Sequence, residues 1–383
     1  MVLHVDVNPI LLDWARRRSR IDDGVFADRF PSFERWVSGT STPTLKQLES
    51  FARRTHTPLG FLFLDEPPVE SVPIPDFRTI AGESMEHPSA DLLDTVYVCQ
   101  SRQEWYRDHQ LRTGEAPLDF VASISLGTPA DDGAQDLRTH LGWTADVRSR
   151  LGSWDAAVTG LRERAEALGL LVMISGIVGS NTHRKLNPRE FRGFALVDRY
   201  APVVFVNGAD SKAAQVFTLA HELAHVWLGA AGLDDLDPRS EQRYGEERWC
   251  NQVAAELLVP MDEFRVVFAP SQDLRAQLQP LAERFRVSAQ VIIGRVREAG
   301  HLTWDEFVVE LRVEQERIVD MGAPRGGGGN FYYTKPVQVG KRFARELISS
   351  TLSGWTSYSE AFRLLGVQKT STFEGLAEQL GIR

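Results

Sequence analysis

The chain has 383 residues, 43% of them apolar and 25% charged, with nine Trp; at about 100 to 200 residues per domain this is a multidomain globular composition, with no sign of long disorder. A formal charge of −9 excludes a protein that coats nucleic acid non-specifically, because that mode needs Lys and Arg to displace counterions, so any nucleic-acid contact must be local. Cys99 and Cys250 are the only cysteines, too few for a disulfide framework and in keeping with free thiols in a reducing compartment.

Residues 1–10 carry no basic segment followed by an apolar run, and no stretch of about 18 apolar residues occurs, so the expected location is cytoplasmic, with no membrane. Residues 8–64 read as all-helical. Apolar residues recur at helical spacing in Ile10, Leu11, Trp14 and Ala15, then Phe33 and Trp36, then Leu45, Leu48, Phe51 and Ala52, with Gly24, Pro31 and Gly39 in the turns. The Pro-rich, acidic stretch 65–75 disfavours helix and central strand and reads as a linker. A helix follows over 91–111 on Leu92, Leu93, Val96, Cys99 and Trp105, then a loop over 127–133.

The next block changes in kind. Residues 155–168 predict a helix, 169–177 an apolar strand, and 194–198 and 203–207 two further strands, together a small mixed sheet. Asp210 and Ser211 offer N-caps for a helix that runs through Trp227 and stops before Gly229. After an acidic, loop-like stretch at 232–245, a helix at 246–258 stops at Pro260, and a helical pair follows at 274–285 and 288–299. The glycine run 326–329 reads as a hinge, and 336–381 is again helical. No internal repeat suggests a solenoid.

The chemistry lies in His221-Glu222-Leu223-Ala224-His225, which fits the pattern H-E-x-x-H. Residues four apart on a helix are separated by about 40° around its axis, so both imidazoles leave one face and can share a metal. Glu222 lies about 100° from His221, placed to address a metal-bound water without being a ligand, and is the candidate general base. Zinc catalysis needs a third protein ligand and one open position. Glu247, on a helix expected to pack beside the first, is the choice, with Glu246 and Glu256 as competitors. Glu256 also suits an acceptor that orients a ligand His. The helix is apolar almost all round, with Phe217, Leu219, Ala220, Leu223, Ala224, Val226, Trp227 and Leu228, and burying two His and a Glu without partners is costly, which argues against a surface helix with two solvated His. A metal held there can be catalytic or structural.

The run from Phe191 to Leu196, Val206-Asn207, the run from Phe217 to His225, and the runs from Glu247 to Asn251 and from Ala254 to Pro260 together resemble the ImmA/IrrE family of zinc metallopeptidases, most firmly over about 151–260. The resemblance implies a zinc-dependent endopeptidase, with Zn2+ on His221, His225 and Glu247 and Glu222 as catalytic base. It implies a protein substrate, a repressor or antitoxin-like regulator, in a bacterial stress, mobile-element or toxin–antitoxin response. In this reading zinc activates water and polarises the scissile carbonyl while Glu222 moves the proton. The edge of the 203–207 strand is expected to hold an extended peptide by strand addition. His183, Arg192 and Tyr244 are candidate oxyanion donors, set against a plain surface or packing role.

Leu12-Asp13-Trp14-Ala15-Arg16, the run from Phe33 to Gly39, Pro43-Thr44 and the run from Leu45 to Ala52 resemble the helix-turn-helix of XRE-type regulators, which implies DNA contact by a helix around 32–37. The 21–33 segment is shorter than in that family, and nine basic against seven acidic residues through Leu64 make a weak basic footprint, so a helical scaffold or protein-binding role is the alternative. The run from Leu281 to Ser288, with Ile292, Ile293 and Val296, has the look of a second helix-turn-helix or of plain packing. Residues 75–79 recur in long members of the metallopeptidase family and read as a tether in which Asp76 and Arg78 pair or cap. The tail from Asn330 resembles an extension sometimes encoded beside a PIN-domain nuclease, which makes a PIN-domain protein a candidate partner, with Arg342, Arg345 and Arg363 as contacts or as solvated charge.

The fold expected is α+β. It comprises a helix-turn-helix-like domain (1–66), a helical linker region (67–150), a zincin-like metallopeptidase domain with a small mixed sheet and the metal helix (151–265), a helical, helix-turn-helix-like subdomain (266–325) and a helical extension (326–383). The competing function is a non-catalytic antitoxin-type or DNA-binding transcriptional regulator with structural zinc.

Overall fold

The computed structural model describes residues 3–68, 88–229, 241–321 and 330–382, and the backbone alone at 241–244 and 318–321. The front of the chain forms α1 (Pro9–Ser19), α2 (Asp23–Arg29), α3 (Phe33–Val37) and α4 (Leu45–Arg54), followed by a 3-10 turn at Leu59–Phe63. Local chemistry sets these ends: the Asn8 side chain accepts from the Ile10 amide, Asp22 from Gly24 and Val25, and Thr44 and Gln47 form a capping box. Phe51 gathers the rings of Phe26, Phe30, Phe33 and Trp36 around it in a small core. α3 has five residues, of which Phe33 and Trp36 are buried and Glu34 and Arg35 exposed. The Arg35 guanidinium donates to Ser32 Oγ at 2.7 Å.

The body begins with α5 (Ala90–Thr113), α6 (Ala130–Leu141), α7 (Ala145–Ser149) and α8 (Trp154–Ala167). Five strands follow: β1 (Leu171–Ser175), β2 (Ile177–Val178), β3 (Asn181–Lys185), β4 (Gly193–Leu196) and β5 (Val203–Asn207). Then come α9 (Lys212–Leu228), α10 (Glu241–Leu258), α11 (Met261–Val267), α12 (Leu274–Phe285), α13 (Ala289–Glu298) and α14 (Trp304–Met321). The last helices are α15 (Phe331–Val339), α16 (Lys341–Leu352), α17 (Tyr358–Leu365) and α18 (Thr370–Gln379).

The main sheet has the order β1-β5-β4, with β1 parallel and β4 antiparallel to β5, and β2 and β3 make a separate antiparallel ribbon. Side chains alternate across a strand. Val172, Ile174, Val204, Val206 and Ala195 therefore join α8, α9 and α10 in one core. Leu171, Met173, Val203, Phe205, Phe194 and Leu196 face the other way, onto α5 and α16 to α18. The helices after residue 330 thus cover the second face of the sheet that carries α9 on its first. Arg342 donates to the Tyr106 hydroxyl at 2.7 Å and Arg345 to the Leu380 carbonyl at 2.9 Å, both internal contacts, while Arg363 is exposed.

Three expectations change. The 203–207 strand is not an edge, because β5 bonds β1 on one side and β4 on the other. The outer side of β1 is packed by α15, and a Cβ at Gly340 would stand 3.4 Å from the Val172 carbonyl, so β4 keeps the side that is unpaired among the described residues. The loop expected over 127–133 gives way to α6 from Ala130, because Gly133 is a close helix crossing: a Cβ there would stand 2.7 Å from Trp249 Cζ2. The loop-like reading of 232–245 fails at its end, since α10 already starts at Glu241. In the 274–299 pair, Ile292, Ile293 and Val296 are buried and Arg297 lies over the Trp304 ring at 4.6 Å, and this burial is common to plain packing and to a helix-turn-helix core. Residues 69–87, 230–240 and 322–329, with the tether motif at 75–79 and the glycine run, lie outside the described residues. No helix among the described residues is long and apolar enough to cross a membrane.

Candidate metal centre

α9 is held at both ends by its own sequence. Ser211 Oγ accepts from the Ala214 amide at 3.2 Å, and Gly229, at φ +72°, closes the helix by donating to the His225 and Val226 carbonyls. Its rotation is fixed by packing, with Leu219, Ala220, Leu223, Ala224, Val226 and Trp227 fully buried. Trp227 stacks on Phe120 with centroids 4.4 Å apart and donates Nε1–H to Asp136 Oδ2 at 2.9 Å. α10 packs against α9 and α6, and is registered by Trp249 Nε1–H, which donates to the Thr128 carbonyl at 2.8 Å.

That packing aims three donors at one point. His221 Nε2 and His225 Nε2 are 3.0 Å apart, His221 Nε2 is 3.6 Å from Glu247 Oε2, and His225 Nε2 is 3.3 Å from Glu247 Oε1. Nitrogen and oxygen donors about 2.0 to 2.2 Å from a tetrahedral ion lie about 3.4 Å from one another, so the spacing matches a single metal. His225 is 3% and Glu247 7% exposed while His221 is half-buried, which leaves the centre approachable from one side.

Glu222, itself 7% exposed, points to the start of β4. A Cβ on Gly193 would stand 3.0 Å from Glu222 Oε1, 2.8 Å from the Phe205 carbonyl and 2.5 Å from Thr218 Cγ2. Only a residue without a side chain lets the strand lie this close to the carboxylate. The arrangement is a metal-sized donor set, the carboxylate of the residue that follows one of its histidines, and the edge strand β4 lying against that carboxylate.

Comparison with protein families bears directly on this geometry. Residues 165–297 match the IrrE N-terminal-like domain. The matched stretch runs from the end of α8 nearly to the end of α13 and holds all three donors and Glu222. It supports a metallopeptidase-like role, and the cluster fits the metal dependence of that peptidase family. Residues 339–379 match a domain of unknown function, which takes in α16 to α18. No curated protein matches the chain.

Within the IrrE N-terminal-like segment the other candidates lie elsewhere. Glu256 pairs with Arg295 and accepts from the Met261 amide at 3.1 Å, capping α11, so it orients neither histidine. Glu246 is half-buried on α10 and is not in the donor cluster. Arg192 is exposed and pairs with Asp210 at 3.5 Å, and His183 is exposed on β3. The Tyr244 side chain lies outside the described part. The residue that the sequence reading missed is Gly193. Its signal was available, since glycine opening an otherwise apolar strand marks close approach of another group.

Proposed function

We propose that this chain is a zinc-dependent endopeptidase that cleaves a protein regulator, a repressor or antitoxin-like substrate, in a bacterial stress, mobile-element or toxin–antitoxin response. The observation that carries the reading is the convergence of His221, His225 and Glu247, with Glu222, on the same helix as the two histidines, pressed against the edge strand β4. Two imidazoles and one carboxylate are a catalytic rather than a closed structural donor set, because a fourth position is left for water or substrate.

When bound, zinc supplies Lewis acidity toward water and the peptide carbonyl. The chain's own groups do the rest. Glu222 accepts a proton from the attacking water at its carboxylate and delivers it to the leaving amine nitrogen. β4, in place of the 203–207 strand, pairs with an extended substrate through its free backbone groups and lays the scissile bond beside Glu222. Trp227, Phe120 and the α10 contacts keep the three ligands from moving during the reaction.

The test joins metal analysis to comparative proteomics of cells that express the parent or Glu222→Gln. Zinc retained in both, with a protein fragment appearing only with the parent, supports the reading and names the target. Identical fragment patterns would sink it.

A further inference from the structure

The front helical unit and the body bury their apolar residues separately. The cluster that runs from Val7 to Leu62 closes on itself, and the body's clusters begin at Leu92 and Phe120. α1 also lies against α5, and the side-chain links that the structure gives between the two among the described residues are polar, as in interfaces that open and close. His56 of the front unit, at φ +53°, lies in the field of Arg184, Asp91 and Asp94. Arg20 reaches across to Glu190, with Nη1 3.4 Å from Oε1. Arg20 is itself held in the left-handed region, at φ 49°, a conformation that costs a non-glycine residue about 1 kcal/mol. The strain falls on the residue that makes the link.

Glu190 is 4% exposed and takes two bonds from the N-cap of α5: the Ser89 amide donates to Oε1 at 2.9 Å and Ser89 Oγ to Oε2 at 2.8 Å. It also stands at the entrance to β4. The next two carbonyls, of Phe191 and Arg192, accept from Asn207 Nδ2 at 3.0 Å and from the Asn207 amide at 2.7 Å, and the residue after them is Gly193, pressed on Glu222. One buried carboxylate therefore joins the front unit, the start of α5 and the lead-in to the strand that borders the candidate active site.

We propose that Glu190 is a positioning residue through which the front unit, gripping it with Arg20, sets the β4 edge opposite Glu222. A partner that draws the front unit away removes Arg20 and leaves Glu190 on Ser89 alone, which loosens the entrance to β4 without touching the metal ligands. The consequence for catalysis rests on β4 being the substrate strand, whereas the mechanical coupling does not.

Amide hydrogen exchange on the full chain supplied with one equivalent of zinc tests it, comparing the parent with Arg20→Ala and Arg20→Lys. Arg20 is part-exposed, so its removal leaves the fold intact. In Arg20→Ala the β4 amides exchange about fivefold faster, near the upper end for an ion pair that is open to solvent on one side. α9 stays at the parent rate, and Arg20→Lys restores β4. Unchanged β4 exchange in Arg20→Ala, acceleration shared with β1 and α9, or no recovery in Arg20→Lys overturns the proposal. Zinc content and Glu222-dependent cleavage on the same samples judge the protease reading separately: loosened β4 with no cleavage in the parent removes that reading and keeps the coupling.

Discussion

Gly193→Ala places one methyl group where the structure has no room for it. Its Cβ would meet Thr218 Cγ2 at 2.5 Å, the Phe205 carbonyl at 2.8 Å and Glu222 Oε1 at 3.0 Å, against an optimum of about 3.5 to 4.0 Å between carbons. Phe205 sits in the central strand, paired with Phe194 on one side and Met173 on the other, so its carbonyl cannot retreat without opening the sheet. The strain must go into β4, which moves off α9 by roughly 1 Å, at an overpacking cost of about 1 to 3 kcal/mol. A displacement of about that size in a positioning element lowers turnover by roughly 100-fold. None of the three donors is touched. Thermal melting, zinc analysis and cleavage of the identified target are the assays, and the expected result is a lower Tm, parental zinc content and a fall mainly in kcat. Adding Thr218→Ser removes Cγ2, relieves the closest contact and recovers part of the Tm. A Gly193→Ala protein that melts and cleaves like the parent would refute the close approach of β4 to Glu222.

The ligand assignment separates two glutamates on one helix. Glu247→Gln is expected to weaken zinc binding by more than about 100-fold, beyond the usual loss for residues that only orient a ligand. Glu256→Gln keeps the metal and loses about 1 to 3 kcal/mol of stability, because Arg295, 4% exposed, gives up one of its two carboxylates and keeps Glu298; equal zinc loss in both variants contradicts the assignment. Stability is also expected to depend on pH. Burial first, and Arg102 next, lower the Lys335 pKa from 10.5 to about 7, in a side chain that is 1% exposed and donates to Ser180 Oγ at 2.6 Å. Between pH 7 and 9 the unfolded chain keeps this proton while the folded chain sheds it, so stability rises with pH by about 2 kcal/mol over the window. Burial also raises Cys99 to about 12, from 9.0, which acts in the opposite sense from about pH 8 upward and takes roughly 0.4 kcal/mol off the rise by pH 9. Urea unfolding at pH 7, 8 and 9 is expected to show the rise in the parent and lose it in Lys335→Met; parallel curves would exclude a proton lost at Lys335.

What the sequence determined by itself is local geometry. A four-residue spacing on a helix points His221 and His225 the same way whatever surrounds them, and Ser211 by its hydroxyl and Gly229 by its backbone amide end that helix within one turn. Glu256 stands nine residues beyond Glu247, about 180° around α10, so the spacing alone already set the two carboxylates on opposite faces. The both-sided burial of β1 and β5 was legible in the same way, as unbroken apolar runs. Tertiary structure alone decided which strand lies beside which. Apolar alternation reports the face that a residue occupies and carries no information about lateral neighbours, so it could not show that β5 is central and β4 is the edge. Glycine is ambiguous for a related reason: Gly133 and Gly193 are small because Trp249 and the Glu222–Thr218 pair press on them, and those contacts come from residues far along the chain.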